Sequence, residues 1–271
     1  MELTLSHTTI YQYEPEPAGA GLRLKLFPIA SAAQRLDDWS LTVNGTEVSP
    51  IFTEASGDQI ALWHHHSAVE KVEITASGTA RTSDTAGVLK DVRSSMPPGV
   101  YLRQTELTEP DEVIRKMTAE VGEGDALARL HKLSESVNGA IDYRPGVTST
   151  ETTAAEAAAL GAGICQDQAH VFIAASRLLG IPARYVVGYV FDPDADEAQD
   201  THAWAEAYVP GLGWTGFDIT HQLCPTDAYV RLCCGLDAED AAPIRGNLHG
   251  EVDETLTTAV RVAQATGQSQ Q

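Results

Sequence analysis

Basic side chains are scarce: the 271 residues hold 18 Lys and Arg against 38 Asp and Glu, a formal charge of −20. Neutralising phosphates needs clustered cations, so this balance argues against nucleic-acid binding. It argues equally against electrostatic docking on an anionic membrane surface. Long apolar runs are missing too, and nothing approaches the roughly 20 residues that span a bilayer as a helix. The opening MELTLSHTTIYQYEPEP lacks a basic stretch followed by an apolar one, so it does not read as a signal peptide. The expectation is a cytoplasmic protein. Cysteine is limited to Cys165, Cys224, Cys233 and Cys234, with no C-x-x-C pair. That excludes a disulfide framework in a reducing compartment and a zinc knuckle.

With 43% hydrophobic and 21% charged residues, the chain can bury a core, and its length allows one large domain or two ordinary ones. Charge divides it: residues 1–105 carry 12 acids and 8 bases, residues 106–271 carry 26 and 10. The first part reads as strands. LTLSHTTIYQY alternates at Leu3, Leu5, His7, Thr9 and Tyr11, and LRLKLF alternates apolar with basic, the period-2 pattern of half-buried strands. Trp39–Val43, Gln59–His64 and Val69–Thr75 continue it between Asn44-Gly45 and Ser56-Gly57-Asp58 turns, which suits a sandwich.

From Thr108 the period becomes helical. Thr108 with Pro110, Asp111 and Glu112 opens a first helix, and Asp125 to about Ile141 forms a second. Thr153 caps an Ala-rich third helix ending near Gly161, and Cys165 to Leu179 forms a fourth, closed by Gly180 and Pro182. The strands ARYVVGYV, HAWAEAYV and GWTGFDI follow, with further strands after Asp227 that include Leu256 to Val262. The division expected is a β-rich N-terminal domain over 1–105, a core with C-terminal strands over 106–265, and a flexible tail over 266–271.

Cys165 begins a helix after GAGI, where unpaired N–H groups and the macrodipole favour a thiolate. Gly161, Ala162 and Gly163 would let a substrate backbone approach, which makes Gly163 a candidate substrate contact. His202 starts one strand and Asp218 lies sixteen positions on, near the end of the next. Antiparallel pairing would set them side by side, with Asp218 fixing the imidazole and His202 activating Cys165. The residues alone leave other readings open: Cys165 as a small buried hydrophobe, His202 as a core histidine, Asp218 as a turn cap. Trp204 would shield the pair, line the substrate cleft, or simply fill the core. Asp167 and His170, on the same helix as Cys165, read as structural hydrogen-bonding groups.

The runs GAGICQDQAHVFIAASRLLGIPARYVVGYV and HAWAEAYVPGLGWTGFDIT closely resemble the bacterial transglutaminase-like superfamily of papain-like thiol enzymes. LSHTTIYQYEPEP with LRLKLFP resembles the β-rich domain that precedes this core in one bacterial subgroup, and APIRG (Ala242–Gly246) is similar to that subgroup's region after the core. The resemblance spans nearly the whole chain. It implies an α+β fold with a sandwich-like N-terminal domain and a papain-type core, and a catalytic triad of Cys165, His202 and Asp218. It implies a cofactor-independent enzyme that attacks peptide or amide bonds through a thioester. Water would make it a hydrolase, and an amine an acyltransferase; a non-catalytic peptide-binding module and a metal-dependent hydrolase are the rival readings. Relatives of this type are associated with peptide-ligase-like proteins, which points towards peptide metabolism. The chain departs from the pattern at Gln168, where relatives have an aromatic residue, and at Ile219, where they have Pro.

Other signals are set aside. His64 and His66 share one strand face while His65 points away, which leaves any metal short of a third ligand. DPDADEAQD (Asp192–Asp200) has Glu197 where a calcium loop needs Gly, so it reads as a mobile acidic loop beside the site. Cys233-Cys234 reads as a buried pair. Between Arg184 and Arg231 there are eight acids and no Lys or Arg. That field would favour an imidazolium at His202 and attract a cationic substrate.

Overall fold

The computed structural model describes residues 1–92, 94–194 and 200–265. Seven strands come first: β1 (Glu2–Glu14), β2 (Ala20–Leu24), β3 (Gln34–Val43), β4 (Thr46–Glu47), β5 (Phe52–Thr53), β6 (Gln59–His65) and β7 (Lys71–Thr82). β8 (Val88–Leu89), α1 (Glu112–Val121), α2 (Ala126–Ala140), β9 (Asp142–Tyr143), α3 (Ala154–Leu160), β10 (Ala162–Gly163) and α4 (Cys165–Leu178) follow. The chain then runs through β11 (Ala183–Val190), β12 (His202–Val209), β13 (Gly213–Phe217), β14 (Tyr229–Gly235), β15 (Ile244–Leu248) and β16 (Asp253–Gln264).

The N-terminal lobe has two sheets, ordered β16-β1-β7-β3-β4 and β15-β2-β6-β5. Leu3 and Leu5 of β1, Leu22 and Leu24 of β2, and Val72 and Ile74 of β7 all enter one core, as their period-2 spacing requires. The two C-terminal strands belong here and not to the core: β16 pairs with β1 from Leu3↔Gln264 to Glu14↔Asp253, and β15 pairs with β2. The expected division is corrected accordingly, for a physical reason. Without β16, the 13-residue β1 would present a long unpaired edge. The boundary also shifts on the other side, since β8 joins the core sheet through Trp214↔Leu89.

The core sheet runs β14-β11-β12-β13-β8, and α4 packs across β11 and β12. Both α4 and this sheet are nearly all apolar on their shared side: Phe172, Ile173 and Ala174 meet Ala205, Phe217 and Val230 in the core. The helix ends follow local chemistry. Asp111, not Thr108, caps α1 through the Ile114 N–H, and Asp125 caps α2 through Ala128. Thr153 and Glu156 form a reciprocal capping box on α3, which ends at Gly161 with φ 66°. Among the described residues, no helix is long and apolar enough to cross a membrane. The expected tail (266–271) and the middle of the acidic loop, including Asp196 and Glu197, lie outside the described residues.

Candidate active site

Antiparallel pairing of β12 with β13, Ala205↔Phe217 to Val209↔Gly213, brings His202 opposite the residue that follows β13. That residue is Asp218, and its Oδ2 lies 2.6 Å from His202 Nε2. Cys165 lies close enough to the same ring to raise its pKa. With Nε2 committed to Asp218, Nδ1 is the ring nitrogen left free for a thiol. The three residues predicted from sequence therefore converge on one imidazole.

Electrostatics at this imidazole follow from its partners. Burial by itself would lower the pKa of His202, but bonds to Asp218 and Cys165 and the pull of their charges raise it to about 10. Asp218 is fully buried. Burial pushes its carboxyl up, yet hydrogen bonds from His202, His221 and Tyr229 hold it well below the usual carboxylate range. His221 places Nδ1 2.8 Å from Asp218 Oδ2 and donates its backbone N–H to Oδ1 at 3.1 Å. The Tyr229 hydroxyl donates to Oδ2 at 2.7 Å. Sequence reasoning missed both residues. The signal available was weak: His221 sits one turn beyond Asp218, and Tyr229 begins a strand two places from β12 in the sheet.

Cys165 is positioned by the first turn of α4. Asp167 Oδ2 accepts the Ile164 N–H at 2.7 Å and the Thr148 hydroxyl at 2.8 Å, so Asp167 caps the helix that carries Cys165. Gly163 serves that cap. A Cβ there would lie 2.6 Å from Asp167 Oδ2 and 2.7 Å from its Cβ. The small residue makes room for Asp167. Trp204 is likewise buried, packed edge-on to Tyr229 with ring centroids 5.6 Å apart, and 6.2 Å from His202. It belongs to a small buried cluster with Val186, Tyr229 and Cys234.

Gln168, the departure noted in the sequence, donates to the Ile141 carbonyl at 2.9 Å and accepts from the Thr220 hydroxyl at 2.7 Å. It thereby ties α4 to the end of α2 and to the segment after Asp218. His170 accepts the Ala238 N–H at 3.0 Å, and burial lowers its pKa to about 4, so it is a structural neutral imidazole. Cys233 and Cys234 are buried, and burial raises both thiols. His64 and His66 share a face, with ring centroids 4.7 Å apart.

The acidic interval between Arg184 and Arg231 folds differently from the field inferred from it. Those two arginines return to Glu206: Arg184 Nε lies 2.6 Å from Oε2 and Arg231 Nε 2.8 Å from Oε1. One of the eight acids is thus neutralised twice over, and another is Asp218 itself. Acidic side chains also wall an open groove of about 860 Å³, formed by Glu106, Glu151, Glu156, Asp237 and Glu239. It meets α4 at Gln166, the neighbour of Cys165, and His202 and Asp218 do not line it.

Residues 115–219 match the transglutaminase-like superfamily, and residues 3–81 match the bacterial transglutaminase-like N-terminal region. A Mycobacterium leprae protein is 24% identical over 276 residues, covering 94% of this chain and 96% of its own length. A Mycobacterium tuberculosis protein is 29% identical over 170 residues; the match covers 59% of this chain and 52% of the relative, about half its length. A crystal structure of a candidate cysteine protease from Cytophaga hutchinsonii has the same fold, with a TM-score of 0.78 at 24% identity, covering 98% of this chain and 91% of that one.

Proposed function

The chain belongs to the transglutaminase-like superfamily, with the bacterial N-terminal region ahead of the core, and from that premise we propose that it is a thiol hydrolase of peptide or amide bonds. The observation that carries this reading is the single imidazole held by Asp218 on Nε2, with Cys165 close enough to bear on the same ring.

The chemistry follows from that arrangement. The Cys165 thiolate adds to the substrate carbonyl carbon. The oxygen takes up negative charge beside the Cys165 N–H, an unpaired donor at the start of α4. The His202 imidazolium gives its Nδ1 proton to the departing amine, the C–N bond breaks, and a thioester remains. Neutral His202 then takes a proton from water, the hydroxyl adds to the thioester, and the acid leaves as the thiolate–imidazolium pair is restored. Asp218 stays ionised throughout and stabilises the charged imidazole. Water needs no binding site of its own, so hydrolysis is the default outcome at an open thioester. An acceptor amine would have to outcompete it. Cationic substrates are favoured if chains extend into the acidic groove at Gln166.

The test uses an activated ester, p-nitrophenyl acetate, and mass spectrometry. A burst of nitrophenol with the acetyl group on Cys165, strongly slowed in H202A and absent in C165A, is the expected result. No adduct on Cys165, or an unchanged rate in H202A, overturns the reading. Adding a primary amine during turnover separates the outcomes: amide formation exceeding hydrolysis assigns acyl transfer. Lys-rich peptides turned over no faster than Glu-rich ones at low salt would remove the cationic preference.

A further inference from the structure

A carboxylate that only orients a catalytic histidine needs one imidazole on it; Asp218 has two. His202 Nε2, His221 Nδ1 and the Tyr229 hydroxyl all converge on the same oxygen, Oδ2, at 2.6, 2.8 and 2.7 Å. The two imidazole rings are 5.0 Å apart, and the ligand-type atoms of His202, Asp218 and His221 lie within 4.8 Å of one another. Burial grades across the cluster: side-chain exposure is 0% at Asp218, 13% at His202 and 49% at His221. One edge of the cluster therefore opens to solvent through His221.

We propose that His202 Nε2, Asp218 Oδ2 and His221 Nδ1 form a binding site for a first-row divalent cation of the Zn²⁺ type, which inhibits the thiol chemistry when occupied. Two imidazole nitrogens and one carboxylate oxygen are a donor set that suits zinc, cobalt and nickel. With bonds of about 2.0–2.1 Å, a tetrahedral ion sets its ligand atoms roughly 3.3 Å apart. The two hydrogen-bonded edges, 2.6 and 2.8 Å, must open by about 0.5–0.7 Å to reach that spacing. Half-exposed His221 has the freedom to swing for this. Tyr229 remains as the outer group that hydrogen-bonds the ligating carboxylate, the usual supporting arrangement.

The inhibitory consequence rests on the hydrolase reading. The ion would take the place of the proton on His202 Nε2, which passes to solvent. His202 would then carry its remaining proton on Nδ1, facing Cys165, with no lone pair there to accept another. It could no longer form the imidazolium that protonates the departing amine, and Cys165 would lose its base.

Binding and inhibition are tested separately. Co²⁺ is titrated into full-length C165A, which excludes thiolate ligation, and its d–d absorption is followed. We expect a one-to-one complex, weakened at least tenfold in C165A/H221A and C165A/H221N and unaffected by H64A/H66A. No complex in C165A, or one of equal strength without His221, overturns the site. So does a thiolate-to-cobalt band in the wild type whose binding disappears in C165A, which would assign the ion to the thiol. In wild type, Zn²⁺ should suppress ester acylation, and H221A should need tenfold more ion; equal sensitivity in H221A overturns the inhibition. A His221-dependent cobalt complex in a protein that never acylates Cys165 would leave the metal site standing and sink the hydrolase reading alone.

Discussion

At Gly163 the missing side chain has a defined occupant, the Asp167 carboxylate that caps α4. Gly163→Ala should drive that carboxylate off the Ile164 N–H, costing ~1–3 kcal/mol as an overpacked site and displacing Cys165. Chemical denaturation and the alkylation rate of Cys165 check this; unchanged values in both would show that the cap tolerates a methyl group. The His202 imidazole supplies the pH dependence. Its folded pKa is raised to about 10, above the ordinary value near 6.5. Its contribution to stability is therefore complete below about pH 6.5 and is lost as pH rises through about 10. On the hydrolase reading the same proton goes to the leaving group, so kcat/KM should fall on an alkaline limb near pH 10. Asp218 acts in the opposite sense, its contribution being lost only in strong acid as its depressed carboxyl is protonated. NMR titration of His202 in C165A should give a pKa lower than in the wild type, because one hydrogen bond and one charge are gone. A histidine signal that does not move between the two proteins would break the link between thiol and imidazole.

Among the elements, α4 does the most positioning. It begins with Cys165, and its buried polar residues reach outward to fix it. Asp167 holds the N-terminus, Gln168 holds Ile141 and Thr220, His170 holds Ala238, and Arg177 donates to Tyr101, Ala183 and Leu236 carbonyls. Gln168 is the informative case, because its second partner lies two residues beyond Asp218. Gln168→Leu keeps the volume but leaves the Ile141 carbonyl and the Thr220 hydroxyl without partners. The expected loss is ~1–3 kcal/mol, together with a drop in kcat larger than any change in KM. A variant with lowered stability but unaltered kcat would show that Gln168 supports the fold and not the alignment of Asp218. The caps of α2 and α3 were legible in the sequence because they depend on residues three positions apart: Asp125 with Ala128, and Thr153 with Glu156. The start of α1 was misplaced by three residues for the same kind of reason. Thr108 and Asp111 both make good caps, and Thr108 is occupied instead in a short turn with Thr105.

On the scale of the whole molecule, the two lobes are joined by a buried chain of charge. Lys25 contacts Glu54 at 3.0 Å and Asp58 at 3.7 Å; Arg231 reaches Asp58 at 3.9 Å and Glu206 at 2.8 Å; Arg184 closes the chain on Glu206 at 2.6 Å. Arg184 also lies flat over Trp214, 4.0 Å from the ring centroid, where a planar guanidinium fits and a lysine would not. Glu206→Gln leaves the Arg184 guanidinium buried without its anion and Arg231 with only the longer contact to Asp58, and should destabilise by ~3–5 kcal/mol. Removing the half-exposed pair between the N-terminus and Asp227 should cost less than ~1 kcal/mol. Urea unfolding of E206Q beside D227A measures both, and equal small losses would mean that the buried chain carries no net stability.

The sequence by itself determined what is local or chemical in kind. Strand alternation, helix caps and glycine stops depend on a few neighbouring residues. The identities of Cys165, His202 and Asp218 follow from residue type, order and family resemblance. Tertiary structure decided whatever joins residues far apart in the chain, because no short-range pattern encodes such pairings. It brought β16 to cover β1 from the opposite end of the chain and returned the C-terminal strands to the N-terminal lobe. It turned Arg184 and Arg231 inward onto Glu206, so the two cations that bound the acidic interval in one dimension meet on one of its acids in three. It also set His221 and Tyr229 on the oxygen that serves His202. A desolvated carboxylate must collect donors from whatever lies within reach, and only the folded chain fixes what that is.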